Sequence, residues 1–150
     1  MKNIFEAPVA TEVIGRINKL SANTPAQWGK MNVAQMLAHC NVSYDMAYTN
    51  IYPKPGGVKR FFLKAFIKGI VVGEKVYKPN SRTAPEFLQV DEKNFEEEKT
   101  KLINYINRVV ADGEASFENK ESLSFGPLKT SEWNAMFYKH IDHHLNQFGV

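Results

Sequence analysis

Lys139-His140-Ile141-Asp142-His143-His144-Leu145-Asn146-Gln147-Phe148-Gly149-Val150 puts three of the four histidines of the chain into one stretch of helical character. Residues four apart on a helix lie one turn above each other on the same face, so His140 and His144 aim two imidazoles at one point. Traced back to Thr130 or Ser131 as the cap, the helix carries Trp133, Met136, Phe137, His140, His144 and Gln147 on its core side. A pair of imidazoles does not complete a zinc-type shell, which in catalytic sites takes three protein ligands and leaves a position for water. His39, far upstream, is the candidate third ligand.

The rest of the chain reads as helices that could bring His39 to that point. Val13, Ile14, Ile17 and Leu20 recur at helical spacing in a first helix over Thr11 to Leu20. Asn32 followed by Gln35 is a capping-box start, and the helix onward to about Tyr48 buries Val33, Met36, Leu37, His39, Cys40, Val42 or Ser43, and Met46. Tyr52-Pro53-Lys54-Pro55-Gly56-Gly57 ends it. Lys59 to Val72 is a short basic amphipathic helix, with Phe62, Phe66 and Ile70 on one side and Arg60, Lys64 and Lys68 on another. Lys78 to Val90 is a loop, and Asp91 caps a third long helix whose stripe is Phe95, Leu102, Ile103, Ile106, Val109 and Val110, stopped by Asp112-Gly113. Glu114 to Lys129 is a loop, and no segment alternates like a strand. The fold predicted for residues 1–150 is one all-α domain, a four-helix bundle with a long crossover that contains a short extra helix.

A chain of 150 residues with 43% hydrophobic and 23% charged content can bury a core without staples. Its single cysteine, Cys40, excludes an internal disulfide and fits a reducing cytoplasm. Met1 to Ala10 has no long apolar run, so neither a signal peptide nor a membrane span is expected. A net charge of +3 gives no footprint for nucleic acid. The basic stretch from Lys54 to Lys78 and the acidic one from Glu86 to Glu98 are read as solvated faces rather than as a compensating pair.

Bundle cores are where metal sites are built from facing helices, and three neutral imidazoles suit Zn, Ni, Fe or Cu without choosing among them. The alternative is that each histidine is a satisfied core residue or lies on the surface. His143 competes with His144, but it sits about 100° around the helix and is expected beside the site or on the surface. Asp142 falls nearly opposite the His140 face and is expected in solvent. Gln147 is placed to hold a ligand, a water or an imidazole N–H. Position 141 is Ile, so the glutamate of a metalloprotease HExxH motif is missing. Cys40 turns away from the direction His39 faces and is read as a buried, inert thiol. Trp28 and Trp133 are expected to anchor packing.

Trp28 through His39, followed by HxxHHxxQ from His140 to Gln147, resembles the DinB-like, YfiT-like superfamily. Phe125-Gly126-Pro127-Leu128, Glu132-Trp133 and Tyr138 through Gly149 look like one of its subfamilies without known activity. The similarity spans nearly the whole chain, including Asn80 to Pro85. Relatives often carry His-Pro before the Phe-Gly segment, where this chain has Leu123-Ser124. The resemblance implies an up-down-down-up bundle and a divalent metal on His39, His140 and His144. Several superfamily members are metal-dependent transferases or isomerases that use low-molecular-weight thiols such as bacillithiol, mycothiol or glutathione.

Together these readings predict a cytoplasmic metalloenzyme for a small-molecule substrate, with Zn or Ni as the ion and Gln147 beside the bound group. With a thiol on the ion it would be an S-transferase; with water, a hydrolase. One rival is a non-catalytic, stress-related bundle whose metal only braces the fold. Another makes Lys59 to Val72 a membrane-surface or partner helix, although its Phe-rich face is equally suited to cover the bundle or a homodimer interface.

Overall fold

Pro8 needs no hydrogen-bond partner for a backbone N–H in the first turn of a helix, and it starts α1 (Ala7–Asn18) ahead of the predicted Thr11 in the computed structural model, which describes residues 1–150. The capping box predicted at Asn32 is present. Asn32 accepts from the N–H of Gln35, whose side chain accepts in return from the N–H of Asn32, and α2 (Val33–Tyr48) follows. This helix is buried on almost every side: Ala34, Ala38, Asn41, Tyr44 and Asp45 are buried as well as the predicted stripe of Val33, Met36, Leu37, His39 and Cys40.

The short helix expected over Lys59 to Val72 is present, interrupted by a π turn. α3 (Gly57–Phe62) runs through a π-helical turn over Leu63–Ile67 into α4 (Lys68–Val72), and a 3-10 turn occupies Pro85–Phe87. The helix α5 (Phe95–Asp112) is capped by Asn94 rather than Asp91, because Asn94 accepts from the N–H groups of Glu96 and Glu97. Glu118 accepts from both the N–H and the hydroxyl of Thr130, so neither Thr130 nor Ser131 is the last helix's cap. That cap is Lys129, whose N–H is accepted by Glu132, and α6 (Thr130–Asn134) continues through a second π turn over Ala135–Lys139 into α7 (His140–Gln147).

The expectation of no strands is corrected by a small hairpin. β1 (Lys120–Ser122) pairs antiparallel with β2 (Gly126–Leu128), with Ser122 opposite Gly126. The hydroxyl of Ser122 accepts from the N–H of Phe125, and Gly126 turns with a φ of +79°. Strands of three residues are too short to show alternation in sequence.

The molecule is thus mostly helical, with one two-stranded sheet. α2 lies along α5, α1 touches α5 and α7, and α2 touches α7. Ile17, Met36, Leu37, Leu102, Ile106 and Trp133 fill the space between them. Tyr48, Tyr105, Tyr44 and Phe137 stack in sequence at ring separations of 5.7, 5.5 and 4.6 Å, tying α5, α2 and the last helix together. Asp45 adds a buried carboxylate that accepts from Lys101 at 2.8 Å and from Tyr105 at 2.6 Å. No helix is long and apolar enough to cross a membrane.

Most of the basic stretch is exposed, as the solvated-face reading expects, but part of it is ion-paired. Lys59 meets Glu86 at 2.6 Å, Lys68 meets Glu132 at 2.8 Å, and Arg60 meets Glu121. Only the first of these acids belongs to the acidic stretch.

Candidate metal centre

Two helices deliver the three histidines. The capping box fixes the start of α2 and so the azimuth of His39, two turns on. The π turn over Ala135–Lys139 ends where α7 begins, so His140 opens α7 and His144 follows one turn later. The Nε2 atoms of His39 and His140 are 2.8 Å apart, and a ligand atom from each of the three histidines lies within 4.8 Å of the others. Ring centroids are separated by 4.5 Å for His39 and His144, and by 4.9 Å for His140 and His144.

Every Nδ1 is held by a partner that dictates its protonation. A carbonyl oxygen only accepts, so His39 donates its Nδ1–H to Phe87 at 2.9 Å. Gln147 gives its Nε2 to the carbonyl of Trp28 at 2.7 Å, which turns its Oε1 toward His144 Nδ1, also at 2.7 Å. Ser43 spends its hydroxyl hydrogen on the carbonyl of Cys40 at 2.8 Å, leaving a lone pair for His140 Nδ1–H at 3.2 Å. All three Nε2 lone pairs therefore face one another. This is the tautomer that ligates metal through Nε2, with the second nitrogen oriented by an acceptor.

Burial works in the same direction. Desolvation is the largest effect on all three rings and drives them toward the neutral form: His39 is lowered, His140 is held well below the ordinary histidine range, and His144 is pushed down to about 3. The neighbouring imidazoles add to this at His140 and His144. Neutral lone pairs 2.8 Å apart repel, and a cation between them removes the repulsion. Three nitrogens on one tetrahedral zinc are separated by about 3.3 Å for Zn–N bonds near 2.0–2.1 Å, which falls inside the observed spread. The donor set can hold one divalent ion.

His143 stands half-buried beside this group, edge-on to Trp28 at 5.9 Å and to Tyr77 at 5.6 Å. It lines a cleft of about 270 Å³ with Trp28, Val76, Tyr77, Pro79 and Asn146. Trp28 is accordingly half-buried and forms a wall of the cleft, whereas Trp133 is buried in the core as expected. Asp142 is half-buried and paired with Arg16 at 2.6 Å, not free in solvent. Cys40 is buried, its Sγ contacts Met36 Sδ at 3.8 Å, and burial raises its thiol far above the ordinary range. Such a thiol stays protonated and unreactive.

Sequence reasoning missed Phe87, Tyr77, Ser43 and Lys139. Phe87 gives a carbonyl to His39 and its ring to His140 at 5.7 Å, and nothing in a loop sequence announces a backbone acceptor. Ser43 did carry a signal: it follows His39 by four and shares its face. Lys139 is buried, donates to the carbonyls of Ile70 at 2.8 Å and of Gly73, and lies 4.5 Å above the ring of Tyr77, fastening the crossover to the last helix.

Residues 5–149 match the family model described as a protein of unknown function (DUF1569), and the chain belongs to that family. The family lies within the DinB/YfiT-like superfamily. No curated protein and no solved structure matches the chain.

Proposed function

We propose that this member of the family binds one divalent metal ion, Zn or Ni, through His39, His140 and His144, and acts on a small-molecule substrate as a metal-dependent enzyme. The observation that carries the reading is the convergence of the three rings, each with its Nδ1 against an acceptor (the Phe87 carbonyl, the Ser43 hydroxyl, the Gln147 amide oxygen), an arrangement that suits an unprotonated Nε2 on every ring. We further read the long helices as an up-down-down-up four-helix bundle, in line with the superfamily.

An ion held by three imidazoles keeps a position free, where it would acidify a water for hydrolysis or a low-molecular-weight thiol for S-transfer. The resemblance to superfamily members that use low-molecular-weight thiols favours the thiol. The chain's own residues do the rest. Phe87 and Tyr77 place aromatic edges over His140 and screen it from water, at 5.7 and 6.3 Å. Trp28, Tyr77 and His143 wall a cleft beside the centre, where a substrate would sit, and Gln147 holds His144 through its Nδ1. Cys40, protonated and packed on Met36, takes no part.

A second reading follows from the burial of His39 and His144, which suits an ion that only braces α2 against α7. Elemental analysis of tag-free protein, followed by a screen with thiols and halogenated or epoxide electrophiles, tests both. One equivalent of metal with thiol transfer or hydrolysis that chelation abolishes is the expected result. Metal without either activity, whose removal only lowers the melting temperature, establishes the bracing role. Protein that binds no Zn or Ni overturns both readings.

A further inference from the structure

The crossover helix is mounted inside out. Its cations are engaged with the rest of the chain: Arg60 and Lys68 turn inward to Glu121 and Glu132, Lys59 reaches Glu86 while staying more than half exposed, and Lys64 lies against Gly126 of the hairpin. The opposite face is apolar and bare. Val58, Phe61, Phe62, Phe66 and Ile70 leave between 54% and 76% of their surface exposed. The π turn over Leu63–Ile67 produces this arrangement by slipping the register, so that Val71 and Val72 pack on the core while Ile70 stays outside with the phenylalanines.

The geometry points to this face as the seam of a homodimer, in which α3 and α4 of one chain pack against α3 and α4 of a second copy. Two observations choose the occupant. The first is charge. A helix that binds a membrane surface turns free cations toward the headgroups, whereas here three of the four, Lys59, Arg60 and Lys68, are each paired with an acid of the same chain. The stripe itself carries no charge, so two copies related by a twofold axis meet without like-charge repulsion. The second is area. The five side chains expose on the order of 600 Å², at the upper end of what a monomer leaves bare and close to the roughly 800 Å² per partner of a standard interface.

The rings are also arranged in advance. Phe62 lies 5.9 Å from both Phe61 and Phe66, nearly parallel to the latter, so little side-chain freedom is lost on docking. Ala65 and Gly69 lie within the stripe, where small side chains let two helices approach.

Sedimentation velocity of the full chain across the micromolar range tests the seam. The wild type is expected to self-associate to a dimer, and Phe66→Glu to weaken that association by at least about tenfold, with helicity and metal content unchanged. Ile70→Lys, on the same face, serves as a second variant and is expected to act alike. A wild type that remains monomeric throughout, or a dimer that survives both substitutions in folded protein, overturns the proposal. Monomeric protein that pellets with phosphatidylcholine vesicles overturns it in favour of a lipid surface. Metal content is the independent readout: its loss in the wild type bears on the histidine centre and leaves the seam untouched.

Discussion

The last helix and the crossover helix contradict simple amphipathicity in opposite ways. α7 brings polar imidazoles into the interior, and α3 with α4 brings phenylalanines to the surface. Each rod contains or adjoins a π turn that shifts the face presented downstream of it, at Ala135–Lys139 in one and Leu63–Ile67 in the other. In the first, the imidazole nitrogens of His140 and His144 have a partner or face the shared centre. In the second, three of the four cations meet acids of the same chain and the apolar residues are left over. Polar groups in a core and large apolar groups on a surface are both costly unless something else engages them, which is why the proposed ion and the proposed second copy fall on these two rods.

The largest effect should come from removing a ligand. His140→Ala is expected to abolish stoichiometric metal binding, whereas His143→Ala, whose ring faces Trp28 and Tyr77, should retain it. Elemental analysis of the two folded variants decides the matter. Equal loss in both would mean that His143 belongs to the first set of ligands.

The same deletion made in both rods sharpens the contrast. Phe137 is fully buried and stacks on Tyr44, so Phe137→Ala should cost about 3–5 kcal/mol. Phe66, 66% exposed, should change monomer stability by no more than about 0.5 kcal/mol when truncated. Denaturant unfolding in dilute solution measures both. A large cost at Phe66 would show that its face is covered within the monomer.

Acid should act on the histidine rod first. In metal-free protein the folded pKa of His144 lies near 3, below the ordinary 6.5 that the unfolded chain regains, and those of His39 and His140 are lowered too. The unfolded state then binds protons that the native state refuses. Stability is fully present above about pH 6.5 and is lost as pH falls toward 3. A denaturation midpoint that stays flat from pH 7 to 4 would contradict this burial.

A smaller change is expected at Gln147. Gln147→Leu removes the acceptor of His144 Nδ1–H and the donor to Trp28, and should weaken metal binding by about 10–100-fold. Competition with a chromogenic chelator gives the ratio. Unchanged affinity would show that the ring is oriented by packing alone.

Much of the histidine rod was legible because its information is local. The i, i+4 spacing of His140 and His144, the capping box at Asn32 and the stripe around His39 are periodic features, and the structure brings those three residues together. What was not legible depends on partners distant in sequence. Phe87 meets His39 through a backbone carbonyl, Asp142 is drawn out of solvent by Arg16, and Glu121 and Glu132 pair with Arg60 and Lys68. The cap of α5 moved from Asp91 to Asn94 because several polar residues compete there and only chain geometry selects one. The crossover was read correctly as amphipathic and basic, yet sequence could not say which face turns inward.

The smallest test compares how the two rods begin. α2 starts with a complete capping box at Asn32, and losing it in Asn32→Ala should cost about 1 kcal/mol. α3 starts at Gly56 without any side-chain cap, and a side chain built there meets nothing within 4 Å. Gly56→Asp can therefore supply an acceptor for the first turn without a clash, with a gain of a few tenths of a kcal/mol because glycine is already a tolerable cap. That gain should appear as slower amide exchange confined to α3 and α4, while Asn32→Ala speeds exchange throughout α2 and α5, which unfold with the core. If Gly56→Asp protects α2 and α5 as well, the crossover rod unfolds together with the histidine rod, and the two regions are one cooperative unit.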